Sequence, residues 1–422
     1  MRNDDTTRRS TIKRLGAGLT TGALIGIAGC TTGDSGNGNG NGNGNGNGNG
    51  NGGSNSIEWR HGTGFSEAGN NKDATDPSHL WELSRRLEDQ TDGRMQLQVI
   101  GQGEICGFAD CGEKIQAGVV NSASSSPANS HKQFPPLHFW VMPYLFPGDN
   151  IASINATMFS EQLWEEYWIP FAQQYGIVPL MPEEGQFRCV FIGNDAAEDV
   201  DGRVRLPEQI QGMDIRRTFS RMSAQAISSW GANPVEIAFG DTLQGMQTGV
   251  VDGMEIWPTA HAAFGFPEST SQAVINNWAM GIEPNWIRVD FLQQLSEEDF
   301  QLLGEETQTL SEEWVQRTNE FNEQRAGVAD PPADGSKYAE NDVTVNILND
   351  DELQAWQGDL DLQDNPNQYT EVYEETERLD AIDDGQAFIN MVYDKARASS
   401  TPTSTEGFTY DAWWHDYADE LL

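Results

Sequence analysis

Four cysteines are the residues whose chemistry depends most directly on spacing. Cys106 and Cys111 lie five residues apart in a predicted loop segment, Cys189 stands in an apolar run, and Cys30 lies near the N-terminus. Two neighbouring thiols form a disulfide outside the cell, or bind a metal when further Cys or His residues are close. None stands in this segment, so a Cys106–Cys111 disulfide is favoured, with metal binding as the alternative. We expect Cys189 to be buried.

Catalytic motifs are hard to find in the rest of the chain. The 65 Asp and Glu residues make chance pairs of carboxylates unavoidable, but there are only six His residues. No nucleophile elbow, phosphate-binding loop or zinc-ligand helix occurs in the sequence. This pattern favours binding over catalysis, and an exported hydrolase with paired carboxylates stays the alternative.

The first thirty residues resemble an export signal. Arg8 and Arg9 precede a stretch of apolar and small residues that ends at Cys30, in the order Ile-Ala-Gly-Cys. The stretch is too short, and too rich in Gly and Thr, for a spanning helix of about 20 apolar residues. We predict a twin-arginine lipoprotein signal over residues 1–30, with lipid on Cys30 anchoring the protein to the outer face of the cell membrane. An uncleaved membrane anchor is the alternative.

The charge of the chain limits the classes of partner that it can bind and indicates the environment in which it works. With 65 acidic and 25 basic residues, the formal net charge is −40, which excludes nucleic acid as a partner on electrostatic grounds. Molar salt shortens the Debye length to about 3 Å and makes such a surface tolerable, so we predict an external protein of a halophile. The 13 Trp, 18 Phe and 9 Tyr residues argue against an acidic disordered chain.

Beyond the signal, a tether precedes a folded body. Residues 31–56 are rich in alternating Gly and Asn, which predicts a flexible segment without apolar surface. The body then alternates between strand and helix patterns, which predicts an α/β fold with mostly parallel sheets. Strands are predicted near residues 57–61, 95–100, 177–180, 187–192, 213–216, 235–239 and 250–255, and helices near 77–90, 160–174, 222–230 and 241–247. Ser296 and Asp299 predict a capping box at the start of a long helix.

Three consecutive motifs carry a family resemblance. Residues 212–216 read Gly-Met-Asp-Ile-Arg, residues 231–234 read Gly-Ala-Asn-Pro, and residues 247–253 read Gln-Thr-Gly-Val-Val-Asp-Gly. In this order and spacing they resemble the signature of solute-binding proteins of TRAP-type (tripartite ATP-independent periplasmic) transporters, the DctP family. Weaker matches extend the resemblance over residues 57 to about 355. Together with the acidity, it predicts a halophilic archaeon as the source.

The resemblance implies a two-lobed periplasmic-binding-protein-like fold. Its lobes would be discontinuous in sequence and joined by crossing hinge strands and a long connecting helix. Lobe I would comprise residues 57–187 and about 282–322, and lobe II residues 188–281 and about 323–422. A ligand would lie in the cleft between the lobes, where closure expels water.

Two arginines are implied as ligand-binding residues. Arg216 matches the family's signature arginine, which contacts a ligand carboxylate, and the planar guanidinium fits a carboxylate with two parallel hydrogen bonds. Its neighbour Arg217 faces the other side of a strand, and a packing role is the alternative for either residue. Arg188 falls where some members of the family place a second arginine and others a glutamine.

Aromatic and acidic residues complete the implied site. Phe239 matches an aromatic residue that packs against the ligand, with a core position as the alternative. Glu255 and Trp257 follow the Val-Asp-Gly element, where the family often has Glu-Asn or Glu-Trp, although Ile256 intervenes here. The Glu-Trp branch is associated with 2-oxo acids and a bound cation such as sodium, for which Glu255 and Glu283 are the candidate ligands. No other cofactor is predicted.

The predicted function is capture without chemistry. The chain would be the extracytoplasmic receptor of a TRAP transporter that binds a small organic acid and delivers it to the membrane subunits. The binding protein of an ATP-driven importer is an alternative that shares export, anchor and lobes, but the signature over residues 212–253 argues against it. Dicarboxylates, 2-oxo acids, sugar acids and lactate all stay open as ligands.

Overall fold

A computed structural model describes residues 56–66, 71–74, 78–148 and 150–422. The predicted signal with Cys30, and the predicted tether up to residue 55, lie outside the described residues. So does Pro77, the predicted first residue of a helix.

Nine strands form one mixed sheet in the described part of the chain. They are β1 Ile57–Gly62, β2 Met95–Ile100, β3 Ser122–Ser124, β4 Ile177–Gly193, β5 Asp214–Arg217, β6 Asn233–Glu236, β7 Gly253–Ile256, β8 Thr270–Arg288 and β9 Thr344–Ile347. The order across the sheet is β2-β1-β3-β8-β4-β7-β5-β6, and β9 pairs with β8. This arrangement confirms the predicted α/β fold.

The two longest strands connect the halves of the sheet. β4 and β8 run antiparallel, and their register changes at several β-bulges. The strands predicted near residues 177–180 and 187–192 are therefore one strand, because β4 continues through residues 181–186 between them. β3 pairs with β8 at one end of the sheet, while β7 pairs with β4 and β5 at the other. The outer pairs β1–β2 and β5–β6 are parallel, as expected.

Seventeen α-helices are present in the described residues. They are α1 His79–Gln90, α2 Cys111–Gln116, α3 Pro127–Ser130, α4 Ile151–Met158, α5 Glu161–Leu163, α6 Ile169–Tyr175, α7 Asn194–Ala197, α8 Arg221–Ser229, α9 Phe239–Gln247, α10 Pro258–Ala263, α11 Val289–Leu292, α12 Glu297–Glu320, α13 Lys337–Glu340, α14 Asp350–Gln357, α15 Thr370–Thr376, α16 Gly385–Ala396 and α17 Ala418–Leu421. A π-helical segment, Trp164–Trp168, joins α5 to α6, so the predicted helix near residues 160–174 is continuous. Ser296 caps α12, because its hydroxyl accepts a hydrogen bond from the Asp299 backbone nitrogen at 3.2 Å. The hydroxyl also donates to Oδ2 of Asp299 at 2.7 Å, where the predicted capping box would join this carboxylate to the Ser296 backbone nitrogen. None of the helices in this part of the chain combines the length and apolar character needed to cross a membrane.

Buried side chains form three clusters around the sheet. The first contains α1, the helical segment around Trp168 and most of α12, and the other two cover opposite faces of the β4–β7–β5 region. Buried residues from Leu362 to Leu421 pack in the first cluster, where Trp413 donates a hydrogen bond to Thr307 of α12 at 3.0 Å. The predicted boundaries placed this C-terminal segment in lobe II, because the sequence does not show where a returning chain packs. Its core contacts instead lie with residues of the predicted lobe I.

Candidate functional site

A small cavity of about 40 Å³ opens where the central strands meet the loops that follow them. This volume is below the roughly 300 to 1,000 Å³ of pockets that enclose drug-sized ligands. Thirteen described residues line it: Phe65, Phe108, Ser126, Asn129, Arg188, Arg216, Thr218, Phe239, Ile256, Trp257, Ala260, Phe264 and Glu283. The charged lining residues Arg188, Arg216 and Glu283 lie on strands β4, β5 and β8, and we call them the polar wall. The four phenylalanines of the lining are called the aromatic wall.

Arg216 is a buried arginine without an ion-pair contact among the described residues. It lies on β5, is 4% exposed, donates from Nε to the carbonyl of Ile237 at 3.2 Å, and its guanidinium carbon lies 5.6 Å from the centre of the Phe239 ring. Among the described residues, the nearby ion pairs join Arg188 to Glu255 and Arg217 to Glu236, and none involves Arg216. Burial lowers the pKa of Arg216 to about 10, so it remains a cation at neutral pH. The site therefore offers a buried positive fork to an anion.

Arg188 and Glu255 form a buried ion pair behind the cavity surface. Arg188 on β4 donates from Nε to a carboxylate oxygen of Glu255 on β7, and from Nη2 to the Glu255 carbonyl at 3.2 Å. The backbone nitrogen of Thr218 donates to the other carboxylate oxygen at 3.2 Å. Both predicted residues thus lie at the site, but Glu255 contacts Arg188 and is absent from the cavity lining. Their charges neutralise each other, which leaves Arg216 as the dominant attraction for an anion.

Trp257 lines the cavity despite the intervening Ile256. It is the residue before α10, and the guanidinium of Arg188 lies 5.4 Å from the centre of its ring. A Cβ atom at Gly281 would lie 3.0 Å from the Trp257 ring and 3.3 Å from the Arg188 side chain. The glycine thus allows β8 to approach both groups closely. Ile256 also faces the cavity, so the additional residue leaves Trp257 within the site.

Glu283 is a buried acid in the cavity wall. Burial raises its pKa to about 8, although the nearby Arg188 opposes the rise. Its oxygen Oε1 has no hydrogen-bond partner in the described structure. No group of three or more His, Cys, Asp or Glu side chains placed to hold a metal occurs in the described residues. Glu255 is already bound to Arg188. Glu255 and Glu283, the two candidate ligands for a cation, are therefore not two free carboxylates.

Four partly exposed phenylalanines form the aromatic wall. Phe239 is the first residue of α9 rather than the end of a strand, because β6 ends three residues earlier at Glu236. Its ring centre lies 4.9 Å from that of Phe264 and 5.4 Å from that of Phe108, both edge to face. Phe65 lies 5.0 Å from Phe108. Sequence analysis identified only Phe239 of these four; the position of Phe108 between two cysteines was the available signal.

The cysteines lie as the sequence indicates. Cys106 and Cys111 form a disulfide in the structure, and Cys189 is a free, buried thiol. Burial raises the pKa of the Cys189 thiol to about 12, which keeps it protonated and unreactive. The disulfide encloses a short loop whose central residue, Phe108, reaches the cavity.

Comparison with known proteins shows the family of the chain. The chain matches the family model of bacterial extracellular solute-binding proteins, family 7 (DctP), over residues 69–364. It is 24% identical over 270 residues to the ectoine-binding periplasmic protein TeaA of Halomonas elongata, which covers 64% of this chain and 74% of the relative.

Two solved structures show the same fold. The periplasmic ectoine-binding protein of the TeaABC TRAP transporter of Halomonas elongata has a TM-score of 0.64 at 19% identity, covering 81% of this chain and 99% of the other. A TRAP periplasmic solute-binding protein from Desulfovibrio salexigens with bound orotic acid has a TM-score of 0.65 at 13% identity, with the same coverage. Both are two-lobed binding proteins, as the resemblance implied. Because the family model matches more than half of its residues, the chain belongs to family 7 of the bacterial extracellular solute-binding proteins, the DctP family of TRAP transporters.

Proposed function

We propose that this protein captures a small organic acid outside the cell and delivers it to the membrane subunits of a TRAP transporter. Membership of the family supports solute binding as the function. The observation that carries the choice of ligand class is Arg216, a buried guanidinium that faces the cavity and has no ion-pair partner among the described residues. A buried cation is costly unless an anion compensates it, and a carboxylate matches the guanidinium in shape and charge.

The charges of the cavity favour a ligand with one negative charge. The Arg188–Glu255 pair is neutral overall, and Arg216 contributes one positive charge. Because the pKa of Glu283 is about 8, this group is mostly protonated at pH 7 and adds little negative charge. A monocarboxylate would therefore neutralise the cavity, whereas a second carboxylate would enter it without a partner cation.

Binding follows from these walls without chemistry on the ligand. The carboxylate would accept hydrogen bonds from Arg216, whose orientation is held by the Ile237 carbonyl and the Phe239 ring. The aromatic wall would cover the apolar part of the ligand and exclude water, which strengthens the ion pair. Glu283 is the single carboxylate in the lining of this cavity as described, so a pair of free carboxylates for hydrolysis does not face the ligand.

Two kinds of carboxylate form the first screen. The relative TeaA is named as ectoine-binding, and the protein from Desulfovibrio salexigens holds orotic acid. Ectoine and orotate are therefore the first cyclic probes, with lactate and pyruvate as open-chain probes. Whether sodium is needed is tested by repeating the titrations with potassium in its place, because the cation predicted at Glu255 and Glu283 would distinguish the two.

The decisive experiment compares two neighbouring arginines. In molar salt, a ligand at 100 times its Kd stabilises the native state by about 2.7 kcal/mol, which a thermal-shift screen detects. Arg216→Ala should abolish the shift. Arg217→Ala is the matched control, because Arg217 is paired with Glu236 at 2.8 Å on the other face of β5 and should leave the shift unchanged. A shift that persists in Arg216→Ala, or no shift with any carboxylate, would reject the proposal.

The route to the cell surface is a second part of the proposal. Arg8, Arg9 and Cys30 support a twin-arginine lipoprotein signal, and residues 31–56 would act as a tether. The net charge of −40 supports a saline environment and a halophilic archaeal source, although the relatives named above are bacterial. Mass spectrometry of the mature N-terminus should find lipid on Cys30. Release of a Cys30→Ser variant into the medium would support the anchor, and an unmodified Cys30 would exclude it.

A further inference from the structure

The loop between Cys106 and Cys111 is held rigidly against the first strand. The Cys111 backbone nitrogen donates to the Gly107 carbonyl at 3.0 Å, and the Gly107 nitrogen donates to Oδ1 of Asp110 at 2.8 Å. The disulfide closes the same loop. A Cβ atom at Gly62 of β1 would lie 2.6 Å from the sulfur of Cys106, so the glycine lets the disulfide pack on the strand.

The same arrangement seats the ring of Phe108. A Cβ atom at Gly64 would lie 2.6 Å from this ring, so the ring packs directly on the backbone just after β1. In this position, the ring centre of Phe108 lies 5.4 Å from that of Phe239 and 5.9 Å from that of Phe264. Phe239 and Phe264 pack with the third core cluster, so Phe108 closes the aromatic wall from the side of β1.

We propose that the Cys106–Cys111 loop is a specificity element, in which Phe108 contacts the flat ring of a cyclic carboxylate and the disulfide is the positioning group. The inference rests on the proposed function and narrows its ligand class. Phe65, Phe108, Phe239 and Phe264 are all partly exposed and present edges and faces to one space. Aromatic side chains bind flat rings in edge-to-face or offset arrangements, which an open chain does not match. The arginine wall holds the carboxylate, and this loop selects the body attached to it.

The test measures selectivity rather than affinity alone. Isothermal titration of the full mature chain in molar salt would give Kd values for orotate as the flat cyclic probe and for lactate and pyruvate as open-chain probes. Phe108→Ala should weaken binding of the cyclic probe about tenfold, equivalent to about 1.4 kcal/mol, and of the open-chain probes less than about threefold. Phe219→Ala is the matched control, since Phe219 is also partly exposed but lies outside the cavity lining.

A double-mutant cycle tests the disulfide. Replacing Cys106 and Cys111 together with Ser should reduce selectivity for the cyclic probe, and should have no further effect on selectivity when Phe108→Ala is already present. If the double serine variant does not fold, titration of the folded protein after reduction replaces it, because the buried Cys189 thiol is unaffected.

Each outcome is informative. The inference would be overturned if Phe108→Ala weakened cyclic and open-chain probes equally, or if selectivity did not depend on the disulfide. In either case, binding that still depends on Arg216 would leave the proposed function intact. Preference of the wild-type protein for open-chain probes would also overturn the inference. If the wild-type protein binds no carboxylate, both proposals fail.

Discussion

The two walls of the cavity differ in where their side chains are anchored. Arg188, Arg216 and Glu283 lie on strands β4, β5 and β8, within the sheet that connects the molecule. The phenylalanines lie instead in loops or at helix ends, as Phe108 in the disulfide loop and Phe264 just after α10 illustrate. The polar wall is therefore fixed by the sheet, and the aromatic wall by local packing.

This difference implies that the polar wall recognises the class of ligand, and that the aromatic wall distinguishes between compounds of that class. A strand position constrains its side chain through backbone pairing on both sides, so an ion pair between strands changes little when the loop sequences change. Loops accept substitution more easily and can change the shape of the cavity without disturbing the sheet. We therefore expect substitutions in the polar wall to affect stability and all ligands, and those in the aromatic wall to affect particular ligands.

Removal of Glu255 should have the largest effect. Glu255→Ala would leave Arg188 buried without its partner, which typically costs about 3 to 5 kcal/mol of folding free energy. Urea titration at constant salt measures the loss. Glu236→Ala is the control: Glu236 is paired with Arg217 but its side chain is 45% exposed, so the cost should stay below about 1 kcal/mol. Similar losses in both variants would show that the polar wall has no special importance for stability.

The fork of Arg216 should matter more than its charge. Arg216→Lys keeps a cation but removes the two parallel donors, and we expect Kd for the best carboxylate to rise about 100-fold, or about 2.7 kcal/mol. Calorimetric titration gives this value, and Arg217→Lys should leave Kd within about twofold. If the Arg216→Lys variant binds the carboxylate as tightly as the wild-type protein, the positive charge alone explains recognition. The geometry of the polar wall would then have no role in selecting the ligand.

Stability should fall with pH through Glu283. Burial raises the folded-state pKa of this group to about 8 from 4.5, so the folded state holds a proton that the unfolded state has already lost. Its stabilising contribution is fully present below about pH 4.5 and is lost as pH rises through 8. Between pH 6 and pH 8 the loss should be about 2 kcal/mol.

Urea titrations at the two pH values measure this change, and Glu283→Gln should remove it. A pH dependence that is the same in the variant would assign the titration to another group. The same titrations with saturating ligand show whether the protonated form of Glu283 is also the form that binds the ligand.

The close approach at Gly281 should give the smallest effect. Gly281→Ala places a methyl group 3.0 Å from the Trp257 ring, which must move by a few tenths of an ångström at a cost of about 1 kcal/mol. Gly240→Ala is the control, because its Cβ would meet no atom within 4 Å and α9 favours alanine over glycine. Unfolding free energies measure both, and a stabilised Gly281→Ala variant would show that the contact between the walls is loose.

Sequence periodicity located most of the elements near the site but not their limits. The helix with its cap at Ser296 and the strand before Arg217 were predicted within a few residues. The strand β4 was divided in two, because residues 181–186 include Pro and Gly. Phe239 was placed on a strand, since a single aromatic at an element boundary has no periodicity of its own.

The predicted site was reached through motifs rather than through periodicity. Arg188, Arg216, Phe239, Trp257 and Glu283 all line one cavity, although residues 188 and 283 are far apart in the chain. Phe65, Phe108 and Phe264 were not predicted, because no spacing in the sequence links them. Their contact depends on Gly64 and on the disulfide, which act only once the segment after β1 and the disulfide loop after β2 are adjacent.

The amino-acid sequence by itself determined the family, the α/β class, the acidity and the arginines, because motifs and composition are local properties of the chain. The tertiary structure alone decided that Glu255 neutralises Arg188, that Arg216 keeps its charge for a ligand, and that residues 362–421 pack with the first core cluster. Each of these depends on contacts between distant segments, and burial strengthens or weakens a charge only after those segments have met.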